Sequence, residues 1–194
     1  MPVYLHPTSV LFKQKPLPEY VVFTELHSTP KKTYMKGITV ISPSWLPNLS
    51  KNLCDITKVL PSPEPKYDSQ KDILLCHTRP SYSGGWSLPP QQTNYPECID
   101  AYKWFARELL SGNIFSYFEQ FKDKLTAQPS LVTSAWNIKK VNLLVESLAN
   151  KNIRTKKALE EMWKKNPSFL LEPITLWILS SSQSLLNQTW PPTK

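Results

Sequence analysis

Nineteen prolines against four glycines in 194 residues limit what this chain can become. Proline fixes φ and removes a backbone donor, so it ends helices and is confined to the margins of sheets. At this density the elements have to be short and joined by stiff connections. The shortage of glycine excludes collagen-like repeats and flexible Gly/Ser linkers. It also bears on phosphate binding, because a Walker loop needs glycines ahead of a Lys-Ser/Thr pair so that backbone N–H groups surround the phosphates. None of Gly37, Gly84, Gly85 and Gly112 is followed by such a pair. No nucleotide site is expected by this route, and with it no ATP or Mg as cofactor of this chain.

Other enzymatic chemistry is equally thin. His6, His27 and His77 stand in ordinary contexts, and neither a Gly-x-Ser-x-Gly elbow nor a His-Glu-x-x-His helix occurs. Glu160 and Glu161 are neighbours, so on a helix they diverge by about 100° and make no convergent acid pair. Cys54, Cys76 and Cys98 are odd in number and widely spaced, which fits a reducing compartment better than a disulfide framework. Cys76-His77 lacks further ligands at zinc-binding distance, so no metal site is expected. The late apolar run Ile174 to Leu179 is far shorter than the roughly 18 residues of a membrane span. The chain is expected to have no catalytic residues and no membrane partner.

The charge does point somewhere. Lys and Arg number 23 against 15 Asp and Glu, a net +8, which suggests an acidic partner, nucleic acid above all. Residues 1–100 hold 10 basic and 8 acidic side chains, whereas 101–194 hold 13 and 7. Within 139–165 the basic residues are Lys139, Lys140, Lys151, Arg154, Lys156, Lys157, Lys164 and Lys165. They constitute a candidate basic patch, against the plain alternative of a solvated helix face.

Hydropathy patterning changes along the chain. Residues 3–12, broken by the turn-forming Pro7-Thr-Ser, and residues 19–26 and 36–41 read as strands rich in β-branched and aromatic residues. Between the last two, Ser28 to Tyr34 reads as a basic loop in which Lys31 and Lys32 stand beside Tyr34, with Lys36 following. Three cations around one aromatic on a strand connection make a candidate backbone-contacting site for nucleic acid. Pro61, Pro63 and Pro65 mark a semi-rigid connector at 51–66. Ile73–Thr78 reads as a short buried strand, and Gly84-Gly85 as a hairpin turn. From Glu97 the apolar period becomes helical. A helical hairpin is expected over 97–126, a short helix over 131–136, and an amphipathic helix with Val141, Leu144, Val145 and Leu148 inward. Thr155 is expected to cap the next helix, with Leu159, Met162 and Trp163 facing in, and a last helix is expected over 173–186. Trp104, Trp136, Trp163 and Trp177 are assigned to packing.

The order of motifs resembles a known family. His6-Pro-Thr-Ser-Val-Leu, Tyr20 to Leu26 ending Glu-Leu, Lys32-Thr-Tyr-Met-Lys-Gly-Ile-Thr39 and Pro43-Ser-Trp-Leu46 are similar to the OB-fold region of DEAH-box RNA helicases. Leu75-Cys-His77, Gly85-Trp86, Asp100 to Ala106, Trp163-Lys-Lys-Asn-Pro167 and Trp190-Pro-Pro-Thr193 are similar to a nucleolar branch of that family. That branch acts on the small-subunit pre-ribosome and displaces the U3 small nucleolar RNA. Two departures stand out. Pro30 sits in a loop one residue longer than the family spacing, and Lys36 replaces the family arginine, exchanging a bidentate fork for a point charge.

The resemblance implies an α+β chain: a truncated OB-like β region at 1–50, the connector, then a β-hairpin and a C-terminal helical bundle at 67–194. It implies that His6, Ser9, Lys31, Lys32, Thr33, Tyr34 and Lys36 lie near RNA, either pre-rRNA or snoRNA. It further implies a nuclear, nucleolar location and small-subunit processome proteins as partners. The RecA-like motor, winged-helix and ratchet domains that bind ATP and Mg in the full-length family are expected outside this sequence, with Met1-Pro2 opening a fragment.

Overall fold

A computed structural model describes residues 2–56, 58–134 and 137–192. The chain divides into two compact units, one formed by 1–58 with 79–91 and the other by 59–78 with 92–194.

In the first unit, β1 (Val3–Leu5) is followed by a turn in which the Ser9 N–H donates to the His6 carbonyl at 2.8 Å, with Pro7 at the second position. Ser9 Oγ then accepts from Leu11 N at 3.3 Å and caps a 3₁₀ turn, Val10–Lys13. The break expected at Pro7-Thr-Ser is therefore present, and the residues after it form a 3₁₀ turn in place of strand. The strand expected over 19–26 is also divided, into β2 (Val21–Val22) and β3 (Glu25–Ser28). Next come β4 (Thr33–Lys36) and β5 (Thr39–Val40). β3 and β4 pair antiparallel and β1 pairs parallel to β4, giving the order β1-β4-β3, while β2 and β5 form a separate pair.

The break between these pairings is at Gly37. Thr24 N and Oγ1 both donate to the Lys36 carbonyl, at 3.1 and 3.3 Å, and Gly37 takes φ +60°. A Cβ there would lie 2.0 Å from Thr24 Oγ1, so only glycine fits.

The short α1 (Trp45–Leu49) begins after another proline turn, with Trp45 N donating to Ser42 O. A 3₁₀ turn, Lys51–Leu53, leads into β6 (Cys54–Asp55). The chain then leaves for β7 (Lys66–Asp68) and β8 (Ile73–Thr78) of the second unit. It returns as β9 (Ser81–Tyr82) and β10 (Trp86–Ser87), in the order β10-β9-β6. Trp86 stacks on buried Tyr20 at 5.5 Å. These contacts assign 79–91 to the N-terminal unit, although from the sequence it had read as the start of the C-terminal part. Nor is 51–66 a bare connector: it supplies β6, and Leu60 N donates to His77 O at 2.7 Å.

The second unit has the sheet β11-β8-β7, in which β11 spans Gln91–Asn94. Its helices are α2 (Ile99–Leu110), α3 (Leu131–Ser134), α4 (Lys139–Asn150), α5 (Lys156–Lys165), α6 (Leu171–Thr175) and α7 (Ser180–Thr189). The expected α+β class holds. The second arm of the expected helical hairpin is instead a 3₁₀ stretch, Ser116–Lys124. Phe115, Phe118 and Phe121, all buried, recur every three residues, which suits three residues per turn and not 3.6. The last expected helix is two, α6 and α7, and the remainder of the 131–136 helix, with Trp136, falls outside the described residues.

Phe105, Leu109, Leu144, Leu148, Leu159, Ile174 and Trp177 are sealed in one core. Three indole N–H groups find backbone carbonyls: Trp163 on Phe169 (2.9 Å), Trp190 on Pro167 (2.7 Å) and Trp177 on Lys140 (3.4 Å). Burial of large rings here carries no unpaired donor. Trp104 differs. It stays half-exposed, with the Arg107 guanidinium 4.7 Å above its ring.

Candidate nucleic-acid interface

The strand alternation of β4 decides which side chains share a face. Lys32, Tyr34 and Lys36 are two residues apart and project to one side, while Thr33 and Met35 project to the other. The turn before β4 is held by Thr29, whose N–H and Oγ1 both donate to the Lys32 carbonyl at 2.8 Å and whose Oγ1 accepts from Lys32 N at 3.1 Å. Pro30 follows Thr29 in this turn and presets its φ. The segment expected as a loop is therefore a tight β3–β4 hairpin, with Lys31 exposed at its tip. Lys32 then occupies the ring side of the sheet, its Nζ 4.7 Å from the centre of Tyr4.

Register brings two further residues to Tyr34 that sequence reasoning missed. Tyr4 is its direct partner on β1 and His27 its direct partner on β3. The Tyr4 and Tyr34 rings are 6.5 Å apart. His6, just past β1, meets Tyr34 edge-on at 5.5 Å and His27 at 6.4 Å. His6 Nδ1 accepts from Thr8 N at 3.3 Å and meets Thr8 Oγ1 at 2.7 Å, which fixes the ring on the sheet. The antiparallel register was reachable from the four-residue turn, since pairing 28 with 33 places 27 opposite 34. The parallel partner Tyr4 had no local signal.

Of the residues named from the sequence, His6, Lys32, Tyr34 and Lys36 converge on this face, and Lys31 stands at its margin. Thr33 does not converge. It is 5% exposed, on the opposite side, and its Oγ1 lies 3.2 Å from Ser28 Oγ. Ser9 is committed as a cap, but it borders an open depression of about 520 Å³ that His6 and Lys36 also line. Glu25 lies directly opposite Lys36 and lowers the local positive charge.

The eight basic residues of 139–165 differ in their surroundings. Lys140 lies over the Trp177 ring at 4.5 Å and bonds Thr126 Oγ1 at 3.0 Å, and burial pushes its ammonium below the usual lysine value. Arg154 pairs with Glu97 and stands over Tyr102. Lys156 covers the Phe115 ring at 5.0 Å. Lys139, Lys151, Lys157, Lys164 and Lys165 are exposed. Lys139 and Lys151 mark opposite ends of α4, roughly 18 Å apart at 1.5 Å per residue. Among the described residues no cluster of three metal-ligating side chains occurs, and no helix is long and apolar enough to cross a membrane.

An aromatic row flanked by lysines on a small β-sheet is the arrangement that oligonucleotide-binding modules present. A family model for the oligonucleotide/oligosaccharide-binding (OB) fold matches residues 1–53, and one for the C-terminal domain of DEAH helicase DHX37 matches 117–194. The chain is 36% identical to "Probable ATP-dependent RNA helicase DHX37" of Homo sapiens over 195 residues, covering 99% of this chain and 17% of that protein. It is 32% identical to "Probable ATP-dependent RNA helicase kurz" of Drosophila melanogaster, covering 98% of this chain and 16% of the relative. It is also 32% identical to "ATP-dependent RNA helicase DEAH13" of Arabidopsis thaliana, covering 97% and 15%. The chain thus spans about a sixth of the length of these relatives. Two matched regions in the same order, and relatives that cover nearly all of this chain, place it in the DEAH-box RNA helicase family, as sequence of that family's C-terminal region.

Proposed function

We propose that this chain is the accessory RNA-binding part of a DEAH-box helicase of ribosome biogenesis, active in small-subunit rRNA processing and release of the U3 small nucleolar RNA in the nucleolus. The observation that carries the RNA reading is the shared face of Lys32, Tyr34 and Lys36, with Lys31 at its edge and His6 against Tyr34. Ammonium groups at strand spacing meet successive phosphates, and their attraction is sequence-independent and sensitive to salt. The chain binds no ATP or Mg and hydrolyses none, since its four glycines form no phosphate-cradling loop. ATP turnover belongs to RecA-like domains that act with winged-helix and ratchet domains of the same helicase.

A salt titration of single-stranded RNA binding tests this. We expect affinity that falls as salt rises, and a shallower slope when Lys31, Lys32 and Lys36 are replaced together by Gln. Affinity no better than millimolar at low salt, or a flat salt dependence, would overturn it.

A second reading applies to the helical unit. Lys140, Arg154 and Lys156 are engaged within the unit, which favours docking of a processome protein there over a continuous RNA track. It predicts that a pre-ribosomal protein partner co-purifies with a chain lacking all three lysines of the hairpin.

A further inference from the structure

The outer face of α5 carries three charges of alternating sign in a line. Lys156, Glu160 and Lys164 are four residues apart, so they share one side of the helix, while Leu159 and Trp163 are sealed in the core. All three border an open groove of about 560 Å³, whose lining also includes Tyr117, at the start of the 3₁₀ stretch, and Pro192. Four-residue spacing on a helix permits ion pairs, yet among the described residues none of the three forms one. Lys156 does lie over the Phe115 ring at 5.0 Å. An ammonium has three donors, so the side turned to the ring leaves the rest for a carboxylate.

We propose that this groove docks an extended peptide whose side chains run acidic, apolar, basic, apolar, acidic. Successive charges along α5 are separated by a rise of roughly 6 Å, at about 1.5 Å per residue. Alternate residues of an extended strand are roughly 6.6 Å apart and face the same way. Three of them therefore meet Lys156, Glu160 and Lys164 in register, each opposite a charge of the other sign. The two residues between turn away from α5, toward Tyr117 and Pro192, which are half-buried. The inference rests on the second reading above, of the helical unit as a docking unit, and adds the place and the chemistry of what docks. Glu160 argues against nucleic acid here. A strand of RNA is negative at every phosphate and would set like charge against it, whereas a peptide can place a lysine there.

The test measures binding of two fluorescein-labelled peptides to the full 194-residue chain by anisotropy at low salt. One carries Glu-Leu-Lys-Leu-Glu and the other the reversed charges, Lys-Leu-Glu-Leu-Lys, in identical flanks. The first should bind at least about fivefold tighter, because three exposed pairs turn from attraction to repulsion, and the ratio should shrink as salt rises. Exchanging the charges in the protein, Lys156→Glu with Glu160→Lys and Lys164→Glu, should reverse the preference. The net +8 stays positive after this exchange, so neither net charge nor misfolding can produce a reversal. Equal binding of the two peptides, no binding at millimolar concentration, or a preference that the exchanged chain keeps overturns the proposal. If the exchanged chain binds neither peptide, Glu160→Gln decides: it should improve binding of Glu-Leu-Glu-Leu-Glu severalfold, and no gain overturns the proposal. Loss of oligouridylate affinity on exchange, with neither peptide bound by either chain, assigns the groove to nucleic acid and also overturns it. In each of these failures, a pre-ribosomal protein that still co-purifies leaves the docking reading standing, and absence of any such protein removes both.

Discussion

Asp72, in the turn between β7 and β8, accepts a hydrogen bond from the Lys156 backbone N–H at 2.5 Å through one carboxylate oxygen and from Lys157 N at 2.9 Å through the other. It thereby satisfies two of the orphan donors at the start of α5, while Thr155 Oγ1 accepts from Ala158 N at 3.2 Å. Its charge also sits at the positive end of the helix dipole. Tyr67 donates to the same carboxylate, and burial, followed by that bond, pushes the Tyr67 phenol well above its ordinary value. Asp72→Ala should lower the stability of the helical unit by about 1–3 kcal/mol, read from denaturant unfolding. Asp72→Asn should cost less, because asparagine tolerates the left-handed φ of 55° and keeps one acceptor.

Gly37→Ala should cost at least ~1–2 kcal/mol from the left-handed backbone, with a further penalty from the clash with Thr24 Oγ1. Adding Thr24→Ala removes the clash and leaves the backbone term. Thermal melts of the single and double variants should therefore differ, the double being the more stable, whereas identical melts would show that Thr24 does not set the constraint.

The buried thiol makes an alkaline prediction. Burial, and after it the nearby Cys98, pushes Cys76 up to about 11. In that window the folded protein keeps the proton that the unfolded chain, near 8.5, has lost, so stability is full below the unfolded value and falls as pH rises from about 9 to 11. Melting temperature should drop more steeply over this range in wild type than in Cys76→Ala. At neutral pH a maleimide should label exposed Cys98 promptly and 1% exposed Cys76 only on unfolding.

Glu25 opposes Lys36 on the proposed RNA face. Glu25→Gln should tighten single-stranded RNA binding roughly two- to fivefold at low salt, with the gain shrinking at high salt. Titrations at two ionic strengths check this, and unchanged affinity at low salt would place the phosphates away from Lys36.

What could be read from the sequence was governed by locality. β8 occupies the segment expected for it, with Leu74, Cys76 and Thr78 buried in alternation. In α4 the inward set Val141, Leu144, Val145 and Leu148 is buried as the helical period demanded, and Thr155 caps α5. Prolines at 7, 43, 129 and 167 each follow a residue whose carbonyl accepts from the N–H three positions along, so the feature that limits element length also shapes the turns. Long-range pairings left no such trace. The hold of Asp72 on α5 joins residues 84 apart, and Tyr4 reaches Tyr34 through a parallel pairing. Nothing local to position 104 distinguishes its half-exposed tryptophan from the sealed ones at 163 and 177. At the interface, the lysines and Tyr34 were visible as composition. The side of the sheet each occupies came only from register, and register is what separates Lys32 from Thr33.

The return of the chain at 79–91 has a practical corollary for anyone dissecting the molecule. Because the polypeptide passes from one unit to the other after 58, 78 and 91, no single cut yields two intact halves. A truncation after residue 66 strips β6 of its partner β9, and one beginning at residue 92 removes β7 and β8 from the helices they accompany. Fragments chosen by residue number will misreport both units, and function is safest assigned by point substitutions in the uncut chain.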